Sequence, residues 1–212
     1  MGNICEPLHI LFNTLPRFRF PLDEHQIPEN GVYVLFEKGE HAHMGDRIVR
    51  VGTHTGTNQL RSRLTQHFTT ENKDRSIFRK NTGRALLNAS LDPFLEQWNW
   101  DLTSRTAKEA HRHLLNTERQ REVEREVSRR IQSLFSFAVV AIAEKPQRLD
   151  LETRIISTIS WCSECKASSS WLGLQSPKAR IRECDLWLVN GLYKDGLTQT
   201  DLHILEGMVL RG

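Results

Sequence analysis

No apolar run in the 212 residues approaches the roughly 20 that a helix needs to cross a bilayer. A helical membrane protein is therefore excluded. The start, Met1-Gly2-Asn3-Ile4-Cys5-Glu6-Pro7, lacks the basic stretch and apolar run of a secretion signal, so the expectation is a cytoplasmic protein. Charge of one sign is also lacking: 29 Lys and Arg stand against 26 Asp and Glu, a net +3. Nucleic-acid binding must then be read from where the basic residues fall. There is no internal repeat and no low-complexity tract. What remains, with 38% hydrophobic and 26% charged residues, is a soluble globular chain. It suits one domain with insertions and is long enough to bury a core without staples.

Cysteine is scarce too, at four residues. Cys162-Ser163-Glu164-Cys165 has C-x-x-C spacing, and Cys184 is a third thiolate candidate. A zinc site would take a fourth ligand, such as Cys5 or a histidine, and no second C-x-x-C exists. A redox pair belongs where a strand enters a helix, whereas this pair follows a helix end. The expectation is reduced thiols, with zinc set aside.

Two short apolar strands, Gly31 to Phe36 and Arg47 to Gly52, read as a hairpin. A helix from Asn58 to Phe68 follows, with Leu60, Leu64 and Phe68 as its stripe. The spacing predicts further helices over Ile77 to Leu87, residues 104–133 (stripe Val123, Val127, Ile131) and Arg148 to Trp161. Phe135 to Ala143, the most apolar stretch, predicts a buried central strand. Residues 1–28, punctuated by Pro16, Pro21 and Pro28, and residues 171–212 carry no clear period. The class is α+β: a small three-stranded antiparallel-type sheet flanked by helices.

Residues at the element ends carry the chemistry. Gly31-Val32-Tyr33, then Val51-Gly52, then "LRSRLTQHF" over 60–68, and "LDLETRIISTI" around Glu152, resemble the GIY-YIG nuclease family. "RVGTHTG" and "RSIFRKNTGRALL" are similar to a restriction-enzyme-like or stand-alone branch. The resemblance implies a nuclease core over 29–161 with a helical insertion at about 69–117, an N-terminal extension (1–28) and a C-terminal extension (162–212) packing on the core. It also implies catalytic Tyr33, Arg63 and His67, and Glu152 as ligand of a Mg²⁺ (or Mn²⁺). One departure stands out: Arg50 occupies the place of the second-motif tyrosine. His54, just past the glycine, is the candidate replacement.

Elementary chemistry supports those types. Phosphodiester hydrolysis needs a positioned water, a proton acceptor and neutralised phosphate oxygens. One carboxylate can hold a Mg²⁺ that keeps most of its waters, and an arginine fork matches phosphate. Arg63 and His67, four apart, share one helix face. Plainer readings stand beside each: Tyr33 as a packing aromatic, Arg63 as a solvated arginine, His67 as structural, and Glu152 as a helix-start cap beside Asp150.

Between residues 75 and 84 there is no acid, and Arg75, Arg79, Lys80 and Arg84 suggest, with Arg50, a phosphate-tracking surface. The helix over 118–130 balances four glutamates against five arginines and reads as solvated. The expected function is a metal-dependent DNA endonuclease, with pairing of two copies to cut both strands left open. The alternatives are a catalytically impaired nucleic-acid-binding module and a zinc-bearing interaction protein.

Overall fold

The structure, a computed structural model, describes residues 4–111 and 113–210. In chain order its elements are α1 (Cys5–Thr14), β1 (Phe18–Arg19), β2 (Gly31–Ala42), β3 (Gly45–Gly52), α2 (Leu60–Phe68) and α3 (Ile77–Ala89). Then come α4 (Leu95–Asn99), α5 (Arg105–His111), α6 (Thr117–Leu134), β4 (Phe135–Ala141), α7 (Lys145–Ser160), α8 (Ala179–Cys184) and α9 (Gln199–Val209). The strands form one antiparallel sheet in the order β1-β4-β2-β3. The fold is α+β as the sequence predicts, with one strand more. The extra strand, β1, pairs only Phe18 with Phe137 and Arg19 with Ser136, too short to show a period.

Alternation along the strands builds two cores. Val32, Val34, Phe36, Ile48, Val51, Ala138 and Val140 face α1, α7 and α9. Tyr33, Leu35, Val49, Phe135, Phe137 and Val139 face α2, α3 and α6, with Trp98, Trp171 and Trp187 filling the same layer. Both Ile48 and Val49 are buried because both faces of the sheet are covered; the β2–β3 register shift between Leu35 and Phe36 leaves Val49 as the extra residue of a bulge. Residues 5–14 and 171–209, which show no clear period in the sequence, contribute α1, α8, α9 and two tryptophans to these cores.

Caps set the helix boundaries. Ser76 accepts from the Arg79 N–H and starts α3. Asn116 accepts from the Arg119 N–H and starts α6, which divides the helix expected over 104–133 in two. α7 begins at Lys145, with a proline in its first turn. Glu152 therefore lies in the helix interior, and the helix-start capping reading of Glu152 is corrected.

Candidate active site

The two motif strands end side by side. Tyr33 on β2 pairs with Gly52 on β3, and the tyrosine hydroxyl crosses directly over that glycine. A Cβ at Gly52 would lie 2.3 Å from Tyr33 Oη, so the second motif ends in glycine to admit the first motif's ring. α2 packs on the same face and supplies Arg63 and His67, while α7 brings Glu152 to the end of β3.

Beneath the cleft lies a buried polar row. Tyr33 and His67 are fully buried, with Tyr33 Oη 2.6 Å from His67 Nε2. On its other side, His67 Nδ1 is 2.6 Å from the Ser76 hydroxyl. Burial, followed by the charges of Arg50, Arg63 and Arg79, holds the imidazole well below its ordinary pKa, so the ring is neutral. Ser76 Oγ also accepts from the Arg79 N–H, and Tyr33 Oη is hydrogen-bonded to Arg50 as well. The neutral ring carries one proton, so one nitrogen donates and the other accepts along the Tyr33–His67–Ser76 row. The Tyr33 hydroxyl is sealed from solvent.

Above it stand a carboxylate and two arginines. Glu152 Oε1 accepts from the Thr53 N–H at 3.0 Å. Burial raises the Glu152 pKa, and the opposing pulls of Arg50, the Thr53 amide and Arg63 do not cancel that rise. Arg63 is half-buried and donates to Gln66 Oε1 at 3.2 Å and to the Arg75 carbonyl at 3.0 Å. It lines an open cleft of about 330 Å³ with Thr53, His54, Thr55, Gln59, Ser62 and Gln66. Arg50 is buried beside Tyr33, with burial lowering its pKa. Its Nη1 donates to the Trp187 carbonyl at 2.5 Å, and its Nε has no hydrogen-bond partner. Arg50 thus fills the second-tyrosine position from inside and is not a surface phosphate contact, which corrects its expected role.

His54 is also corrected as a candidate base. Its Nδ1–H donates to the Gly56 carbonyl at 2.7 Å and its Nε2 accepts the Gly31 N–H at 3.4 Å. Both nitrogens serve the backbone, and burial lowers the ring's pKa.

The basic run separates. Arg75 is exposed, but Arg79 is fully buried against Glu124 of α6 at 2.8 Å. Lys80 pairs with Asp74 at 2.9 Å, and Arg84 binds Asn99 at 2.7 Å and Asn81 at 2.8 Å. For Arg79, Lys80 and Arg84, phosphate tracking is therefore corrected to internal bracing. The acids Glu124 and Asp74, and Asn99, come from outside the acid-free run, which the run itself does not show. The same pairing takes Glu124 out of the helix face read as solvated. Ser76 and Thr53 were also missed. Ser76 just before the helical run was an N-cap signal, whereas an amide donor has none.

Residues 16–211 match the family model described as GIY-YIG domain. Searches of the curated proteins and of the solved structures gave no match.

Proposed function

The chain belongs to the GIY-YIG domain family, whose members are generally nucleases, and from that premise we propose a DNA endonuclease that hydrolyses phosphodiester bonds with one divalent cation, Mg²⁺ or Mn²⁺. The observation that carries this reading is Glu152, an acid in the middle of an apolar helix whose charge its surroundings under-compensate. Its Oε1 takes one amide, and its Oε2 makes no hydrogen bond among the described residues. A single open carboxylate oxygen is the donor set that a largely hydrated Mg²⁺ accepts. When bound, the cation supplies charge neutralisation at the phosphate and the leaving oxygen.

Arg63 grips the phosphate. Its present acceptors, an amide oxygen and a carbonyl, are neutral, so a phosphate offering two charged oxygens outcompetes them. Tyr33 Oη, hydrogen-bonded to His67, orients the attacking water. It reaches that water only once side chains over the cleft shift, and Arg63 is the cation held by the weakest ties. His67 orients Tyr33, and Arg50 contributes positive charge from below.

A second reading, a binding module with impaired catalysis, is favoured by Arg50 in the tyrosine position and by the sealed Tyr33. Incubating plasmid and branched DNA with Mg²⁺, Mn²⁺ or a chelator separates the two. The nuclease reading expects metal-dependent cleavage that Arg63→Ala lowers roughly 100-fold or more with little change in melting. Binding without cleavage under either metal favours the second reading.

A further inference from the structure

At the far end of the β2–β3 hairpin, away from the cleft, three cysteines and two histidines converge. Cys5 opens α1, His43 sits in the hairpin turn, and Cys162 and Cys165 lie in the loop after α7. Cys5 Sγ is 3.3 Å from Cys165 Sγ. His43 Nε2 is 3.2 Å from Cys165 Sγ and 3.4 Å from Cys162 Sγ. Donor atoms of Cys5, His9, His43 and Cys165 all fall within 4.8 Å of one another. The Cys162 thiol also interacts with those of Cys5 and Cys165.

We propose that Cys5, His43, Cys162 and Cys165 form a closed tetrahedral site for a structural Zn²⁺.

The two histidines divide clearly. His9 Nδ1 is 3.0 Å from the Cys5 carbonyl, and its Nε2 accepts the Ile48 N–H at 3.3 Å. Its backbone contacts are the shorter ones, with Nδ1 3.6 Å from Cys5 Sγ and Nε2 3.8 Å from Cys165 Sγ, so His9 stands behind the thiols and orients Cys5. His43 has its Nε2 turned to the two thiols of the C-x-x-C pair. Its Nδ1 lies 3.4 Å from the Glu164 carboxylate, the carboxylate–histidine arrangement that backs zinc ligands. Glu164 lies inside the C-x-x-C itself, so one short loop supplies two thiolates and the backing for the histidine.

Distances agree with the metal. Zn–S of about 2.3 Å and Zn–N of about 2.0 Å give donor–donor edges of roughly 3.5–3.8 Å. The observed contacts of 3.2, 3.3 and 3.4 Å are within a few tenths of that. A disulfide between any two of the thiols would leave the third, and the backed histidine, without a role.

Four protein ligands leave no open coordination position, so the metal is structural. Its place in the fold fits that work. It ties together α1, the hairpin turn and the end of α7, three segments of one core layer far apart in sequence. His43 and Met44 hold left-handed backbone, φ 49° and 62°, which costs non-glycine residues on the order of 1 kcal/mol each. They are the two central residues of the hairpin turn closed by the Ala42–Gly45 pair, where positive φ at both positions matches the twist of the strands. Ten residues of β2 at about 3.3 Å each put the site about 30 Å from Tyr33. It is thus separate from Glu152 and independent of the nuclease reading.

Elemental analysis of protein purified under reducing, zinc-supplemented conditions, with Co²⁺ substitution, tests this. The expected result is stoichiometric zinc, and a cobalt form with tetrahedral d–d bands and thiolate-to-cobalt charge transfer. Cys162→Ser and His43→Ala each lower zinc affinity roughly tenfold or more, while His9→Gln keeps the metal. The proposal is overturned if wild-type protein takes up neither metal, if the cobalt spectrum lacks the thiolate band, or if intact mass shows an internal disulfide. Loss of metal by His9→Gln with retention by Cys162→Ser overturns the ligand set. The wild-type spectrum decides even where a variant fails to fold.

Discussion

Tyr33 and His67 share one hydrogen bond with two consequences, one for packing and one for chemistry. Tyr33→Phe leaves His67 Nε2 buried without its hydrogen-bond partner, a loss of about 1–3 kcal/mol. It also removes the only hydroxyl the first motif offers. Cleavage is expected to disappear while DNA binding persists; a variant that melts earlier but cuts at the wild-type rate would make Tyr33 a packing residue. The types Tyr33, Arg63, His67 and Glu152 were legible in the sequence from their order and spacing. Exposure was not legible, because whether a strand-end tyrosine is open or sealed depends on what the later chain lays over it. Nor was the role of Arg50, whose acceptor, the Trp187 carbonyl, lies 137 residues away.

Among the elements, α3 shows most clearly how a charge run misleads. Its basic residues point inward because acids on other segments meet them: Glu124 from α6 for Arg79, and Asp74 for Lys80. Removing one partner of a fully buried pair is expensive, so Arg79→Ala should cost about 3–5 kcal/mol. Arg75→Ala, at an exposed position, should stay within about 0.5 kcal/mol. Denaturant melts of both variants check this. Equal, small losses would mean that the buried pair is not formed. Helices with a strong apolar stripe, α2 and α6, were readable in advance, as was β4 from its continuous apolar run. β1 and α1 were not: one is too short to carry a period, and the other lies inside a segment that reads as loose.

In the whole molecule, both faces of the sheet are covered, and the nuclease cleft opens where β2 begins, β3 ends and α7 approaches. Among the described residues, Glu152 there has a backbone donor on one oxygen and no hydrogen bond on the other. Glu152→Gln keeps the shape and the bond from Thr53 while removing the charge. Because burial holds the carboxyl above its ordinary pKa, the folded state binds that proton more tightly than the unfolded chain. Metal-free wild type therefore loses stability as pH rises past the carboxyl range, and the Gln variant does not. The deciding measurement is plasmid nicking with Mg²⁺ or Mn²⁺, and metal-free melting at neutral pH, on the same Glu152→Gln preparation beside wild type. The expected result is no nicking, DNA binding equal or tighter, and melting no lower than wild type, with any gap closing toward acid pH. A Gln variant that nicks DNA normally would contradict Glu152 as the metal ligand.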